Sequence, residues 1–242
     1  MKTTLRAAAS AVVVATCVCA SHVMAQTSPS IPVGSLTAFP TVVQTGTKPT
    51  LTWSISYPSI VQNFVTITNP ATVTPKVNLV CDVRILGLGV TSFSNGQITY
   101  YRTRAQWRYN NSTTWANIYD GIQTNTIVQT QGIVRSNIAV TKDRPMNFAG
   151  QFMNGSTWQT LYTSLSGDNV RTLKSGDTPP SNVPDYDAPS LESFLRPYLD
   201  SSGKVRIGPM DVIVFMELTH TDKNNIGYDL QDCVMLITFR VP

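Results

Sequence analysis

Residues 76–86 place Val77, Leu79, Cys81, Val83 and Ile85 at every second position, with Lys76, Asn78, Asp82 and Arg84 between them. Side chains alternate across a strand, so a period of two specifies an extended segment with one buried and one polar face. Residues 50–57 repeat the pattern. Leu51, Trp53, Ile55 and Tyr57 face one way, Thr50, Thr52, Ser54 and Ser56 the other, and Pro58 ends the run. Residues 98–109, a break at Asn110, Asn111 and Ser112, and residues 114–119 predict a hairpin. Further strands are expected at 36–43, 60–68, 126–140, 146–153, 157–163, 205–207, 211–219 and 229–241. Helical spacing occurs at one place, where Leu191, Phe194, Leu195, Tyr198 and Leu199 follow a Ser190 cap and Pro197 ends the helix near Arg196. Residues 164–189, polar and rich in Asp, Pro and Gly, predict a long loop. Many short strands with one short helix near 190–196 give an all-β fold, an antiparallel β-sandwich over residues 35–242, built as one elaborated sandwich or as two packed sub-domains.

The start of the chain has a different chemistry. Lys2 and Arg6 precede an apolar, Ala-rich run, and Val23-Met24-Ala25 offers compact side chains before Gln26, the pattern of a secretory signal peptide over residues 1–25. Residues 26–34, rich in Ser, Pro and Thr, read as a flexible leader. Export to the periplasm or the extracellular space is the expectation. No later stretch approaches the roughly 18 apolar residues of a membrane-spanning helix. Removing Lys2 and Arg6 from 18 basic residues leaves 16 against 14 acidic ones, net +2. That is no electrostatic footprint for nucleic acid.

The passage from Pro40 through Gly46 to Leu51-Thr52-Trp53 resembles the opening two strands of bacterial immunoglobulin-like or fibronectin-like extracellular domains, in which a Gly turn precedes a Leu-x-Trp strand. The resemblance covers about a tenth of the chain, which is about twice the usual length of roughly 100 residues for such a domain. It implies an immunoglobulin-like sandwich and names no site.

Few residues after position 25 offer chemistry. Cys81 and Cys233 both fall on inward strand faces, so an exported chain could join them in a disulfide, worth about 5 kcal/mol in the chain-entropy model; the alternative is two separate buried thiols. Two cysteines exclude a thiolate zinc site. His220 is the remaining histidine. On a regular strand it and Glu217 face opposite ways, and no G-x-S-x-G elbow occurs, so no catalytic residue is assigned. Asp222, Asn224, Asp229 and Asp232 cluster oxygen ligands in a turn, where calcium is the one cofactor considered. Ile226 and Cys233 occupy positions at which a calcium loop carries oxygen ligands, and a plain polar turn is the competing reading. Arg102, Arg104 and Arg108 share one face of 98–109, opposite Tyr101, Ala105, Trp107 and Tyr109, with Trp115 placed across from Trp107 or Arg108. This basic ladder is expected to bind an acidic polysaccharide, to pair with a neighbouring strand's acids, or to stay solvated.

These residues lead to an exported, non-enzymatic protein with a structural, envelope-associated or adhesive role, its partners being an envelope or polysaccharide surface or further copies of itself. The rival is a carbohydrate-binding or carbohydrate-cleaving domain using Trp115, Trp158, Tyr109 and loop carboxylates.

Overall fold

The computed structural model describes residues 33–38, 51–56, 59–68, 70–109, 112–180, 194–225 and 227–242, the first two segments by their backbone. The expected signal peptide and most of the leader lie outside the described residues. In chain order the strands are β1 (Val33–Ala38), β2 (Leu51–Ser56), β3 (Val65–Thr68), β4 (Thr72–Pro75), β5 (Leu79–Gly87), β6 (Thr91–Ser94), β7 (Gln97–Tyr100) and β8 (Thr103–Tyr109). They continue as β9 (Ala116–Gly121), β10 (Ile133–Val140), β11 (Met146–Asn154), β12 (Thr157–Trp158), β13 (Tyr162–Thr163), β14 (Val170–Lys174), β15 (Asp211–Met216) and β16 (Cys233–Arg240).

Two antiparallel sheets make the body, an all-β sandwich. One has five strands in the order β10-β5-β16-β15-β14; the other runs β3-β4-β11-β8-β9, with β12 and β13 also paired to β11. The alternating residues of β5 lead into the space between them. Leu79, Cys81, Val83 and Ile85 join Met235, Ile237 and Phe239 of β16 and Val212, Val214 and Met216 of β15, facing Val73, Ala105, Met146 and Phe148 of the second sheet. Ala105, Trp107 and Tyr109 turn inward as their alternation requires. At Gly150 a Cβ would come within 2.7 Å of the Met216 sulfur and 2.8 Å of a Leu218 methyl, so a side chain there would displace these packed side chains.

The first sheet is also covered on its far side. Ile213, Phe215, Val234 and Leu236 pack under Leu195, Val205, Tyr228 and Leu230, which makes every residue of β15 buried. A strand buried on both faces loses the alternation of a half-buried one, hence the unbroken apolar run Val212–Met216. A Cβ on Gly87 would overlap the ring of Phe194, so this second layer needs glycine there.

Several expectations are corrected. The α-helix among the described residues is α1 (Thr126–Gln129), at the start of the segment expected as strand 126–140. Near 190–196 the described part holds a 3-10 turn, Arg196–Tyr198, with Pro197 inside it. The continuous strand 98–109 is divided: β7 pairs back onto β6 through an Asn95-Gly96 turn with φ of 52° and 78°, and β8 starts afresh at Thr103. The expected loop 164–189 contains β14, and 60–68 opens with a 3-10 turn before β3. β1 and β2 pair antiparallel, Leu36 opposite Trp53, as a separate ladder.

The disulfide is also corrected. Both thiols are free and buried. Cys81 lies in register with Phe239, six residues along β16 from Cys233, so the cysteines are separated by about 20 Å at 3.3 Å per residue, far beyond disulfide reach. Their shared inward face was correctly read from the alternation; their register was not, because neighbouring strands can slide by any even number of residues and keep the same faces.

Candidate functional site

The arginine face is built on the β8–β9 hairpin. Trp107 lies opposite Ala116, which puts Trp115 beside Arg108, and the Arg108 guanidinium sits 4.7 Å from the Trp115 ring centre. Arg104 lies directly opposite Asp120 and donates to its Oδ2 from Nε and Nη2 at 3.1 and 3.0 Å. The same Arg104 guanidinium lies over Trp158, 3.9 Å from the ring centre. Arg102 donates to Asp120 Oδ1 at 2.5 Å and stands 5.7 Å from the same indole. One carboxylate and one indole therefore engage two of the three arginines. The hydrogen bond to Asp120 holds Arg102 above its ordinary pKa. Asp120 was not singled out in the sequence: the register set at the turn points Arg104 at Tyr119, and a one-residue shift between Ala105 and Gln106 moves it opposite Asp120.

The acidic turn is reorganised more deeply. β15 stops at Met216, so Glu217 and His220 leave the strand and converge instead of facing opposite ways. Glu217 is fully buried. Its Oε1 accepts the Thr219 N–H at 3.0 Å, the Thr219 hydroxyl at 2.6 Å and the His220 N–H at 2.9 Å. Its Oε2 accepts the N–H groups of Asp229 and Leu230 at 3.0 and 3.3 Å. Asn169 locks the same turn from β14's side by donating to the carbonyls of Glu217 and His220 at 3.0 and 2.7 Å.

Asp229 and Asp232 complete this cluster: one carboxylate oxygen from each lies within 4.8 Å of the others and of Glu217. Burial, with the Glu217 charge beside it, pushes Asp232 well above the usual carboxylate range. Burial also raises Asp229, to about 6, against the opposing hydrogen bond from the Gln231 N–H. Three carboxyl groups this close and this dry require protons or a cation to offset their repulsion. Asp232 Oδ2 accepts the Leu218 N–H at 2.7 Å, so this acid, too, pins backbone. Of the four oxygen ligands expected for calcium, Asp229 and Asp232 meet, with Glu217 as third member. Asp222 and Asn224 do not join them; Asp222 Oδ1 accepts the Asn224 N–H at 2.9 Å in an exposed turn of its own.

A concavity of about 590 Å³ lies elsewhere, between β3 and β14, the end strands of the two sheets. Val65, Ile67 and Leu173 supply apolar wall, and Lys76, Arg171 and Lys174 face one lining acid, Asp177. Where the sheets draw together, Thr172 donates from its N–H to Pro70 O at 3.2 Å and from its hydroxyl to Ala71 O at 2.9 Å. Sequence reading missed this cleft because it belongs to two short strands distant in the chain, one of them inside a polar stretch.

Comparison with known protein families, with curated proteins and with solved structures finds no match for this chain.

Proposed function

We propose that this chain is an exported, non-enzymatic immunoglobulin-like module that acts through its surface in a structural, envelope-associated or adhesive role. The observation that carries the reading is the use made of its reactive side chains. Glu217 receives five hydrogen bonds, four of them from backbone N–H groups, two at residues 219–220 and two at 229–230, and Arg102 and Arg104 are tied to Asp120 and Trp158. Such groups hold a scaffold together. The β3–β14 cleft, by contrast, has the size and mixed lining of a ligand site, within the roughly 300–1,000 Å³ of such clefts. The carbohydrate rival needs indole faces for sugar rings, and Trp158 already carries Arg104.

Affinity electrophoresis through gels of acidic and neutral polysaccharides, run beside a reducing-end assay, tests the reading. Retention without new reducing ends supports it. Release of reducing ends that stops in Glu217→Gln or Asp232→Asn variants that remain folded contradicts it.

A further inference from the structure

We infer that the cleft between β3 and β14 is a docking groove for an extended acidic peptide segment of a partner protein. The inference rests on the binding-module reading and assigns it a site. Charge complementarity is the first argument. Lys76, Arg171 and Lys174 line the groove against Asp177, and the adjoining ion-pair network of Asp168 with Arg171 and Lys223 adds one further cation and one further acid, so the surroundings stay at +2. Lys174 pairs with Asp177 three residues along the chain, and the exposed Lys76 donates to Gln62 O at 2.6 Å, so both ammonium groups are tied to residues of the groove lining.

Wall geometry is the second argument. The groove runs beside end strands of two different sheets; on β14 the Thr172 and Lys174 N–H groups already donate to Pro70 O and Asp177 Oδ2, so an extended chain would lie along β3 while its alternate side chains enter apolar recesses. Val65, Ile67 and Leu173 form such recesses, and Thr66 and Thr178 bring hydroxyls to the opening. No aromatic ring is among the described lining residues, which favours a peptide over the stacked rings of an acidic oligosaccharide.

The test is fluorescence anisotropy of the full exported chain with a labelled pentapeptide alternating Asp and Val. A peptide alternating Asn and Val and a labelled oligogalacturonate serve as comparison probes. Saturable binding of the acidic peptide is expected, with at least tenfold weaker binding of the neutral one and of the oligogalacturonate. Lys76→Glu should weaken acidic-peptide binding at least tenfold. Thr66→Trp, which fills the groove from an exposed strand position without changing charge, should do the same, with unchanged thermal melts showing that both variants fold. Equal affinity for both peptides, preference for the oligogalacturonate, indifference to both variants, or binding that appears only after residues 181–193 are deleted would overturn the inference. A chain that binds polysaccharide without cleaving it, while ignoring these peptides, fails this inference and leaves the binding-module reading standing.

Discussion

Cys81 and Cys233 face the same core from adjacent strands, yet Cys81 is in register with Phe239 and Cys233 lies one residue before Val234, the partner of Gly87. The two thiols share a face and lie at opposite ends of the β5–β16 ladder. Burial raises both, Cys81 to about 12. A chain of residues 26–242, denatured without reductant, should therefore take up two alkyl groups, and the folded protein should take up none over the same time. Mass spectrometry reads both. A linked pair of peptides in an unreduced digest would contradict the register.

Neutralising Glu217 should be costly although it alters a single atom. In Glu217→Gln the amide nitrogen cannot accept either of the N–H sets that converge on the two carboxylate oxygens. Leaving buried donors unsatisfied costs about 1–3 kcal/mol each. Urea unfolding should show a loss of at least about 2 kcal/mol, whereas Asp222→Asn, in the exposed turn, should fall within about 0.5 kcal/mol of the parent.

Stability should rise as pH falls from 8 toward 5. Asp229 and Asp232 have folded-state pKa values above their ordinary ones, Asp229 at about 6, so folding favours their protonated forms. Their contribution is complete below the unfolded value of 3.8 and is lost as pH rises through the folded value. Asp168 behaves oppositely. Its hydrogen bond from Lys223 depresses it, and that contribution is lost as pH falls below the ordinary carboxylate range. Thermal melts should pass through a maximum between roughly pH 4 and 6, and Asp229→Asn should flatten the alkaline limb. A stability that climbs steadily from pH 5 to 8 would contradict this.

Charge is distributed unevenly along the chain: residues 26–150 carry nine basic and three acidic residues, and 151–242 carry seven and eleven. Any self-association driven by this asymmetry should fade above about 0.15 M salt, where the screening length is roughly 8 Å. Strand exchange at the β10 edge should contribute little, since two register shifts and the positive φ of Asn137 break the line of that strand. Light scattering across a salt series checks both statements; assembly that grows with salt would point to an apolar contact instead.

What could be read in the sequence was whatever depends on one strand at a time. The alternation of residues 79–85 predicted β5 and its inward face, and the ordering of Ala105, Trp107 and Tyr109 against the arginines held once β8 formed. What depends on two distant segments was not legible. The pairing of Arg104 with Asp120 needed both the turn length around Ser112 and the register shift between Ala105 and Gln106, the Cys81 register needed β16 laid beside β5, and the convergence of Glu217 with Asp232 needed β15 to stop at Met216. The run at 211–219 was read as a strand, but its burial on both faces, and the segment covering its outer face, were not read from the local pattern. β14 was hidden because a five-residue strand of sequence VRTLK, inside a polar stretch, carries too few apolar residues to show a period.

The most direct measurement pairs stability with binding in two variants, Glu217→Gln and Lys76→Glu, each assayed by urea unfolding and by anisotropy with the Asp-Val peptide at a temperature where both are folded. If the acidic cluster is scaffold and the β3–β14 cleft is the working surface, Glu217→Gln lowers the unfolding midpoint and binds like the parent. Lys76→Glu keeps the parent midpoint and loses at least tenfold in affinity. A Glu217→Gln variant that keeps its stability but loses binding, beside a Lys76→Glu variant that binds normally, would place the function in the acidic cluster and contradict the account.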